Sequence, residues 1–390
     1  MNKIYVPKEI SWLSFNERVL QEAENKEVPL IERFKFLGIY SNNLDEYFRV
    51  RVATLRRLSK FGPKSNDVLG YNAKATLKKV HEIVLEQNTK FEKIYDNLIE
   101  ELAKHKIHIV NEKELKKEQI EFVREFFFKE VRNRLMPFLI NKDSELPNLT
   151  DDAIYLAIYL SLKNDQKKRY ALLEIPSGML PRFVQLPSDD DNKYVIFLED
   201  IIRLGLKDIF FIFNFDEIHA YTIKLTKDAE FEIIDDISES YIEKISKSLQ
   251  QRRHGNPVRF IYDREMPPEM LKMLTKLLKF GPDDVIIPGD RYHNFKDFMR
   301  FPFLGKKKFY FEPLVPIQHK DIQQGKSILS AIKKKDIMLF FPYHPFDHFI
   351  DLLREASIDP YVTSIQITLY RLATNSSVIN ALLNAVRNGK

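Results

Sequence analysis

One segment of this chain keeps its apolar residues on a single helix face over about seven turns. That face is formed by Leu77, Val80, Val84, Phe91, Ile94, Leu98 and Leu102. The opposite face is rich in Lys and Glu, which is typical of a solvated surface. We therefore predict a long amphipathic helix from Leu77 to Leu102. Residues 7 to about 105 are helical in pattern throughout, apart from a breaker at 60–65, and indicate a helical bundle.

The sequence pattern changes at Ile107, where short β-rich runs begin to alternate with amphipathic stretches. The predicted strands are Ile107–Val110, Ala153–Leu160, Tyr170–Ile175, Tyr194–Leu198, Ile218–Leu225 and Val258–Tyr262. The predicted helices are Glu118–Leu135, Asp200–Leu206, Ser238–Arg253 and Pro268–Phe280. This alternation indicates a mixed α/β domain that ends near Pro313.

The last 75 or so residues read as the start of a third domain. Strands are predicted at Asp336–Phe341 and Ser364–Tyr370, and helices at Pro345–Ala356 and Ser376–Asn388, with Gly389 as a C-terminal cap. A parallel sheet would need a further strand after the last helix, so we expect the chain to be an excerpt of a longer protein. The predicted domains are 1–106, 107–313 and 314–390.

Composition narrows the class of protein. Lys plus Arg number 61 against 56 Asp plus Glu, so the basic excess matters only where it clusters. The chain has no cysteine, which excludes disulfides, a thiolate nucleophile and Cys-based zinc sites, and fits a reducing cytosol. Its longest apolar runs, such as Ala153–Leu160, are too short to span a bilayer. We expect a cytoplasmic protein without a transmembrane segment, with peripheral membrane association left open.

The segment Ile39–Arg51 reads as the end of one helix, a turn and the start of another. Asn43 followed by Glu46 has capping-box spacing, with Asn in place of Ser or Thr. A helix mouth of this kind offers free N–H groups to an anion, and Arg49 and Arg51 follow within two turns. The residues alone thus allow a phosphate site, but an Asn at a helix start is more often only a cap.

Other motifs of this chain are weak on their own. Gly325-Lys-Ser327 resembles the end of a P-loop, but Lys320 replaces the earlier glycine and the phosphate cradle cannot form. His344 and His348 lie four apart, where packing is favoured over metal binding, and His293 is open to either reading. No His-x-Lys pair occurs in the chain.

Five basic clusters occur along the chain, and each alone is typical of a solvated surface. They are Arg56-Arg57, Lys167–Arg169, Arg252–His254, Lys306–Lys308 and Lys333–Lys335. Several clusters aligned along a groove would bind a linear polyanion, either a nucleic acid or polyphosphate. Arg371 directly follows the predicted strand Ser364–Tyr370, and the carboxyl ends of strands are where open α/β sheets bind ligands. Its planar guanidinium suits phosphoryl oxygens, although a surface Arg at a loop start is an equal alternative.

Longer motifs resemble the bacterial polyphosphate kinase family (type 1), in the expected order and across nearly the whole chain. They are Glu9–Ala23, Pro29–Arg33, Phe36–Glu46, Tyr170–Pro176, Arg291–Phe298 and Phe341–His344. The resemblance implies reversible transfer of the terminal phosphate of ATP to polyphosphate through a phosphohistidine, with Mg²⁺. It also implies a homo-oligomer, a dimer or a tetramer, and makes nucleic-acid binding a distant alternative.

The resemblance further implies a multidomain α and α/β fold. Its parts are a helical-bundle N-terminal domain, a mixed α/β head domain that helps form a dimer, and the truncated start of a phospholipase-D-like α/β domain. Asn43 matches the family's ATP-contacting Asn, and Arg371 matches an Arg of the Mg²⁺–phosphate site. A guanidinium cannot ligate a cation, so we expect Arg371 to contact the phosphates that carry the metal. The family's phosphoacceptor His lies beyond Lys390, which leaves no catalytic residue in this chain; the alternative is a non-catalytic nucleotide- or polyphosphate-binding, or dimerisation, fragment.

Overall fold

The chain folds into two compact units, Met1–Phe311 and Glu312–Lys390, in a computed structural model. The structure describes residues 5–61, 69–141, 146, 148–162, 165–228, 257–281, 284–323, 325–373 and 375–390, without the side chains of 162 and 165–167. The predicted helix Ser238–Arg253 therefore lies outside the described residues. The predicted three-part division at 106/107 and 313/314 stays a prediction.

The first unit begins with the predicted helical part. It comprises α1 (Lys8–Glu24), α2 (Leu30–Tyr47), α3 (Ala53–Ser59) and α4 (Ala73–Lys104). The long helix predicted from its apolar face is confirmed as α4, whose buried side chains recur at helical spacing from Ala73 to Leu102. Asn72 caps α4, because its side chain accepts a hydrogen bond from the backbone N–H of Ala75 at 2.9 Å.

The turn predicted inside Ile39–Arg51 is wrong. Helix α2 continues without a break through Asn43 to Tyr47, then through a π-helical turn, Phe48–Val52, into α3. Ser41, Asn42 and Asn43 thus occupy a helix interior, where tertiary contacts of α2 override their local preference for turns. Gly38 of the same helix allows a close approach, since an added Cβ would lie 2.9 Å from the backbone N of Met299.

The rest of the first unit, from Ile107 to Phe311, is called the head here and contains all the strands of the described chain. They are β1 (Ile107–Val110), β2 (Phe138–Ile140), β3 (Ile154–Leu162), β4 (Asp165–Glu174), β5 (Phe183–Leu186), β6 (Lys193–Phe197), β7 (Glu217–Lys227), β8 (Pro257–Asp263) and β9 (Val285–Gly289). Its helices are α5 (Lys117–Phe126), α6 (Leu198–Leu204), α7 (Leu206–Ile209) and α8 (Pro268–Leu277), with a 3₁₀ helix at Phe295–Arg300. All six predicted strands are present; the sequence missed β2, β5 and β9.

Two sheets organise the head. The larger has the order β2-β4-β3-β7-β8-β9 and is antiparallel except for the pair β8 and β9, which helix α8 connects. The smaller has the order β1-β6-β5, with β1 parallel to β6. Alternation along β3 serves two cores: Ile154, Leu156 and Ile158 pack on one face, and Tyr155 and Ala157 on the other.

The helical part and the head share their cores. Leu13 and Tyr47 pack with Val285 and Ile287 of β9. A second shared core places side chains of α1, α2 and α4 against Phe298 of the 3₁₀ helix. Surfaces of α2 are therefore fixed by strands that are distant in sequence, and this positions the site described below.

The second unit is helical in its regular structure. It contains α9 (Ile328–Ile332), α10 (Asp347–Ile358) and α11 (Ser377–Arg387), which match the two helices predicted for it and add a short one. Gly389 has the positive φ of 80° expected of a C-terminal cap. The strands predicted at 336–341 and 364–370 are wrong for the described residues: both segments are extended in places, but neither pairs with another strand, and a strand forms only when its backbone groups find a partner.

Candidate functional site

Asn43 lies on α2, five residues before the start of the π-helical turn, and is half-buried. Its Nδ2 donates a hydrogen bond to Oδ1 of Asn16 on α1 at 3.1 Å. Asn16 is fully buried, and its own Nδ2 donates to the backbone carbonyl of Tyr40 at 3.2 Å. Asn43 therefore caps nothing, and the anion site predicted at a helix mouth does not exist here, since the N–H groups of a helix interior are already bonded.

Arg49 was the nearest predicted phosphate partner, and it is already neutralised. Its guanidinium lies 3.0 Å from Glu46, 3.1 Å from Asp151 and 3.3 Å from Asp152. Burial acts to lower the pKa of Arg49, but these carboxylates outweigh burial, and the net shift is upward. A cation with three carboxylate neighbours is a poor anion receptor, so Arg49 belongs to the scaffold. Arg51 is exposed.

Asp45 is the residue of this motif with the most extensive contacts, and no local pattern of the sequence indicates them. Its buried carboxylate pairs with Lys224 of β7 and with Arg259 of β8. Lys224 also lies 3.2 Å from Asp152 and donates to Oδ1 of Asn294 at 2.8 Å. This network ties α2 to the large sheet and fixes the rotation of the helix, and with it the direction of Asn43.

The neighbouring carboxylate Asp152 shows how strongly cationic this interior is. Burial alone would raise its pKa, but Lys224, Lys296 and Arg49 together hold the pKa of Asp152 far below its usual range. Lys296 is the nearest of the three, with its Nζ 2.5 Å from Oδ2. Asp45 and Asp151 also pair with these cations, and such pairing is the condition for burying charged groups.

His293, open to two readings in the sequence, is a packed interior residue. Its Nε2 donates to the backbone carbonyl of Thr222 at 3.1 Å, and its own carbonyl accepts from Arg182 at 2.5 Å. Burial lowers the pKa of His293 to about 3, with further lowering by Arg182, Lys224 and Arg203. The ring is therefore neutral at physiological pH and serves to hold the loop between β9 and the 3₁₀ helix.

Arg371 occupies a different setting, in the second unit. It is exposed, in an extended segment without strand pairing, and its guanidinium lies 5.9 Å from the ring of the neighbouring Tyr370. Within the described residues of this unit it has no carboxylate partner. The predicted position at a strand's end is wrong for the described chain, but the guanidinium is open to a ligand.

The other histidines and the glycine-rich motif of the second unit are structural. His348 is buried and accepts from the backbone N–H of His319 at 3.3 Å, and His344 accepts from that of Phe340 at 2.9 Å. Ser327 of the Gly-Lys-Ser motif caps α9. Over the residues with described structure, no group of three or more His, Asp or Glu is arranged to hold a metal ion.

Several basic clusters are likewise paired. Arg56 binds Asp284 and the carbonyl of Pro257, Arg57 binds Asp228, and Lys168 binds Glu269. Arg252–His254 lies outside the described residues. The exposed run Lys306–Lys308 remains a candidate for contact with a polyanion.

Comparison with known proteins identifies the family. Three family models match in order: the polyphosphate kinase N-terminal domain over residues 5–110, the middle domain over 118–301 and C-terminal domain 1 over 327–390. The chain belongs to the polyphosphate kinase family. The family resemblance inferred from the motifs is thereby confirmed.

Individual relatives agree along the whole chain. Polyphosphate kinases of Yersinia pestis and Escherichia coli K12 are 42% and 43% identical over 100% of this chain and 56% and 57% of their own length. The crystal structure of polyphosphate kinase from Porphyromonas gingivalis matches with a TM-score of 0.77 and 31% identity, over 100% of this chain and 55% of that one. The chain thus spans about half the length of the relatives it matches. No helix among the described residues is long and apolar enough to cross a membrane.

Proposed function

We propose that the protein is a polyphosphate kinase. In this reaction the terminal phosphoryl group of ATP passes to a histidine nitrogen with release of ADP, and then to the terminal oxygen of a polyphosphate chain, reversibly. The observation that carries the proposal is the ordered match of three polyphosphate kinase models across the chain. The proposed ligands are ATP, ADP and polyphosphate, and the proposed form is a cytoplasmic homo-oligomer. The proposed mechanism is phosphoryl transfer by positioning and charge neutralisation.

Two residues of this chain are proposed to touch the nucleotide. Asn43 is half-buried, and its side chain is held by a buried neighbour, which suits a fixed contact with ATP. Arg371 offers a guanidinium that no carboxylate occupies in the described part of its unit, which suits the bidentate contact of Arg with phosphoryl oxygens. The two lie in different units, and each contact is proposed separately.

Mg²⁺ is proposed to arrive with the nucleotide. The described residues form no three-ligand acidic or histidine cluster, and Arg371 cannot ligate a cation. Bound to the phosphates, the ion would offset negative charge on the transferring group. Arg371 would then contact the phosphate oxygens that the ion leaves free, which is the indirect metal contact implied by the family resemblance.

The 390-residue chain by itself is proposed to be inactive, because none of its nine histidines stands in a His-x-Lys context and two of them, His293 and His348, are buried with a ring nitrogen engaged. Incubation with γ-labelled ATP and Mg²⁺ should yield neither polyphosphate nor an acid-labile phosphoprotein. The full-length gene product is the positive control and should give both. A stable phosphohistidine on the 390-residue chain would refute this, and an inactive full-length product would refute the kinase assignment.

A further inference from the structure

The side-chain amide of Asn16, which contacts Asn43, has a fixed orientation. Asn16 is fully buried, and one end of its side chain meets the backbone carbonyl of Tyr40 at 3.2 Å. A backbone carbonyl can only accept, so the end of Asn16 that faces Tyr40 must be the donor, Nδ2. The hydrogen-bond network thus fixes which end of the Asn16 amide is the donor.

This orientation passes to Asn43. With Nδ2 directed at Tyr40, Asn16 presents its Oδ1 to Asn43, and Oδ1 can only accept. Asn43 must therefore donate from its own Nδ2, at a distance of 3.1 Å. Its Oδ1 then has no hydrogen-bond partner in the parts of the chain that are described, and it is not completely buried.

From this geometry we infer that Asn16 is a positioning residue, which fixes the amide of Asn43 so that it offers an acceptor to the nucleotide. The ligand group at Asn43 is therefore an N–H or O–H donor, the exocyclic amine of the base or a ribose hydroxyl. A phosphate oxygen would place two acceptors face to face. The inference rests on the proposed contact between Asn43 and ATP, and it adds which kind of chemical group of ATP makes that contact.

One alternative uses the second N–H of Asn43 Nδ2, which Asn16 leaves unbonded and which would donate to a phosphate. The two interpretations differ in which part of the nucleotide Asn43 contacts. A contact with the base or ribose distinguishes ATP from analogues that lack the donor, whereas a contact with phosphate treats all triphosphates alike.

The experiment measures kcat/KM of the full-length gene product with ATP, with 2′-deoxy-ATP, which lacks one ribose hydroxyl, and with ITP, whose base carries an oxo group in place of the amine. We expect Asn43→Ala to lower the preference for ATP over one of these analogues by about 2- to 10-fold, the range for one neutral hydrogen bond. Loss against 2′-deoxy-ATP assigns the ribose hydroxyl, and loss against ITP assigns the amine.

Asn16 is tested by the same ratio. Asn16→Ala should lower the preference as Asn43→Ala does, with no further loss in the double variant, because both remove one fixed acceptor. Asn16→Asp is nearly isosteric: in its protonated form, which burial favours, its O–H donates to the carbonyl of Tyr40 and its other oxygen accepts from Asn43, so it should keep the ratio. Gln87→Leu is the matched control: Gln87 is a buried amide that accepts from the hydroxyl of Tyr40 at 3.2 Å and does not contact Asn43, so its loss should leave the ratio unchanged.

The outcomes separate the two proposals. If Asn43→Ala weakens ATP and both analogues equally, the acceptor inference is overturned while the nucleotide contact stands. If Asn43→Ala changes no kcat/KM value, the contact itself is refuted. If Asn16→Ala keeps the wild-type ratio while Asn43→Ala lowers it, Asn16 does not position Asn43. Asn43→Ala replaces a half-buried residue and keeps the acceptor inference testable even where a variant of the buried Asn16 does not fold.

Discussion

Asn43 and Arg371, the two residues proposed to meet the nucleotide, differ in how their surroundings hold them. Asn43 lies inside a helix whose rotation is fixed by the buried Asp45–Lys224–Arg259 network, and a buried amide sets its orientation. Arg371 lies in an extended segment and contacts only a neighbouring exposed ring among the described residues of its unit. The comparison indicates that Asn43 is pre-organised before a ligand binds, whereas Arg371 gains its geometry from what binds it.

The largest effect is expected from the network that orients Asn43. Asp45→Asn leaves the buried Arg259 without its carboxylate partner among the described residues and leaves Lys224 with Asp152 alone, which costs about 3–5 kcal/mol of the free energy of unfolding. Urea denaturation followed by circular dichroism measures it. Asp351→Asn, in the exposed pair with Arg354, is the control and should cost no more than about 1 kcal/mol. Equal small costs for both variants would contradict a pre-organised Asn43.

Arg371 should show the opposite profile, a large effect on the reaction and none on folding. In the full-length gene product, Arg371→Lys keeps the charge but loses the planar fork, and Arg371→Ala loses both. We expect a loss in kcat/KM of up to about 2–4 kcal/mol of transition-state stabilisation, with an unchanged free energy of unfolding. Arg354→Lys, at another exposed arginine of the unit, is the control. Near-wild-type kinetics of Arg371→Ala would show that Arg371 is merely surface.

The pH dependence of stability should come from the first unit. Folded His293 has a pKa of about 3, against 6.5 for an ordinary histidine. Between these two pKa values the unfolded chain binds a proton at His293 that the folded chain does not bind. The contribution of His293 to the free energy of unfolding is therefore complete above pH 6.5 and falls as the pH drops toward 3. The expected loss is at most about 1.4 kcal/mol per pH unit. His293→Gln removes this titration, and parallel pH profiles for the two proteins would contradict it.

The smallest stability effect is expected at Asn43 itself. Asn43→Ala loses one hydrogen bond, worth about 0.5–1.5 kcal/mol, but alanine gains up to about 0.7 kcal/mol of helix propensity. We expect a change within about 1 kcal/mol in the free energy of unfolding, together with a higher KM for ATP. Asn42→Ala, at the exposed neighbouring position of the same helix, gains the same helix propensity without losing that hydrogen bond, so it should raise the free energy of unfolding by up to about 0.7 kcal/mol and leave the KM for ATP unchanged. A collapse of thermal stability with an unchanged KM would make Asn43 a structural residue only.

Local sequence predicted the elements whose pattern was long or regular. The apolar helix face from Leu77 to Leu102 and the β-rich apolar run Ala153–Leu160 each predicted an element of the correct type. The strand β2 was missed because three residues are too few to show a period, and β5 was missed because its four residues stand between Pro181 and Pro187, which are typical of loops. Strand β9 was missed because Pro288 argues against a central strand; β9 lies at the sheet's edge, where proline is tolerated.

The sequence by itself determined the family, the long helices and the main strands, because these follow from motifs and periodicities between near neighbours. Only the tertiary structure decided that Ser41, Asn42 and Asn43 continue a helix, that Asp45 is buried between two cations, and that Asn16 turns the amide of Asn43. It also decided that residues 364–370 stay unpaired in the described chain. These features depend on contacts between distant residues, such as Asp45 with Lys224 and Arg259, and no local pattern encodes such a partner.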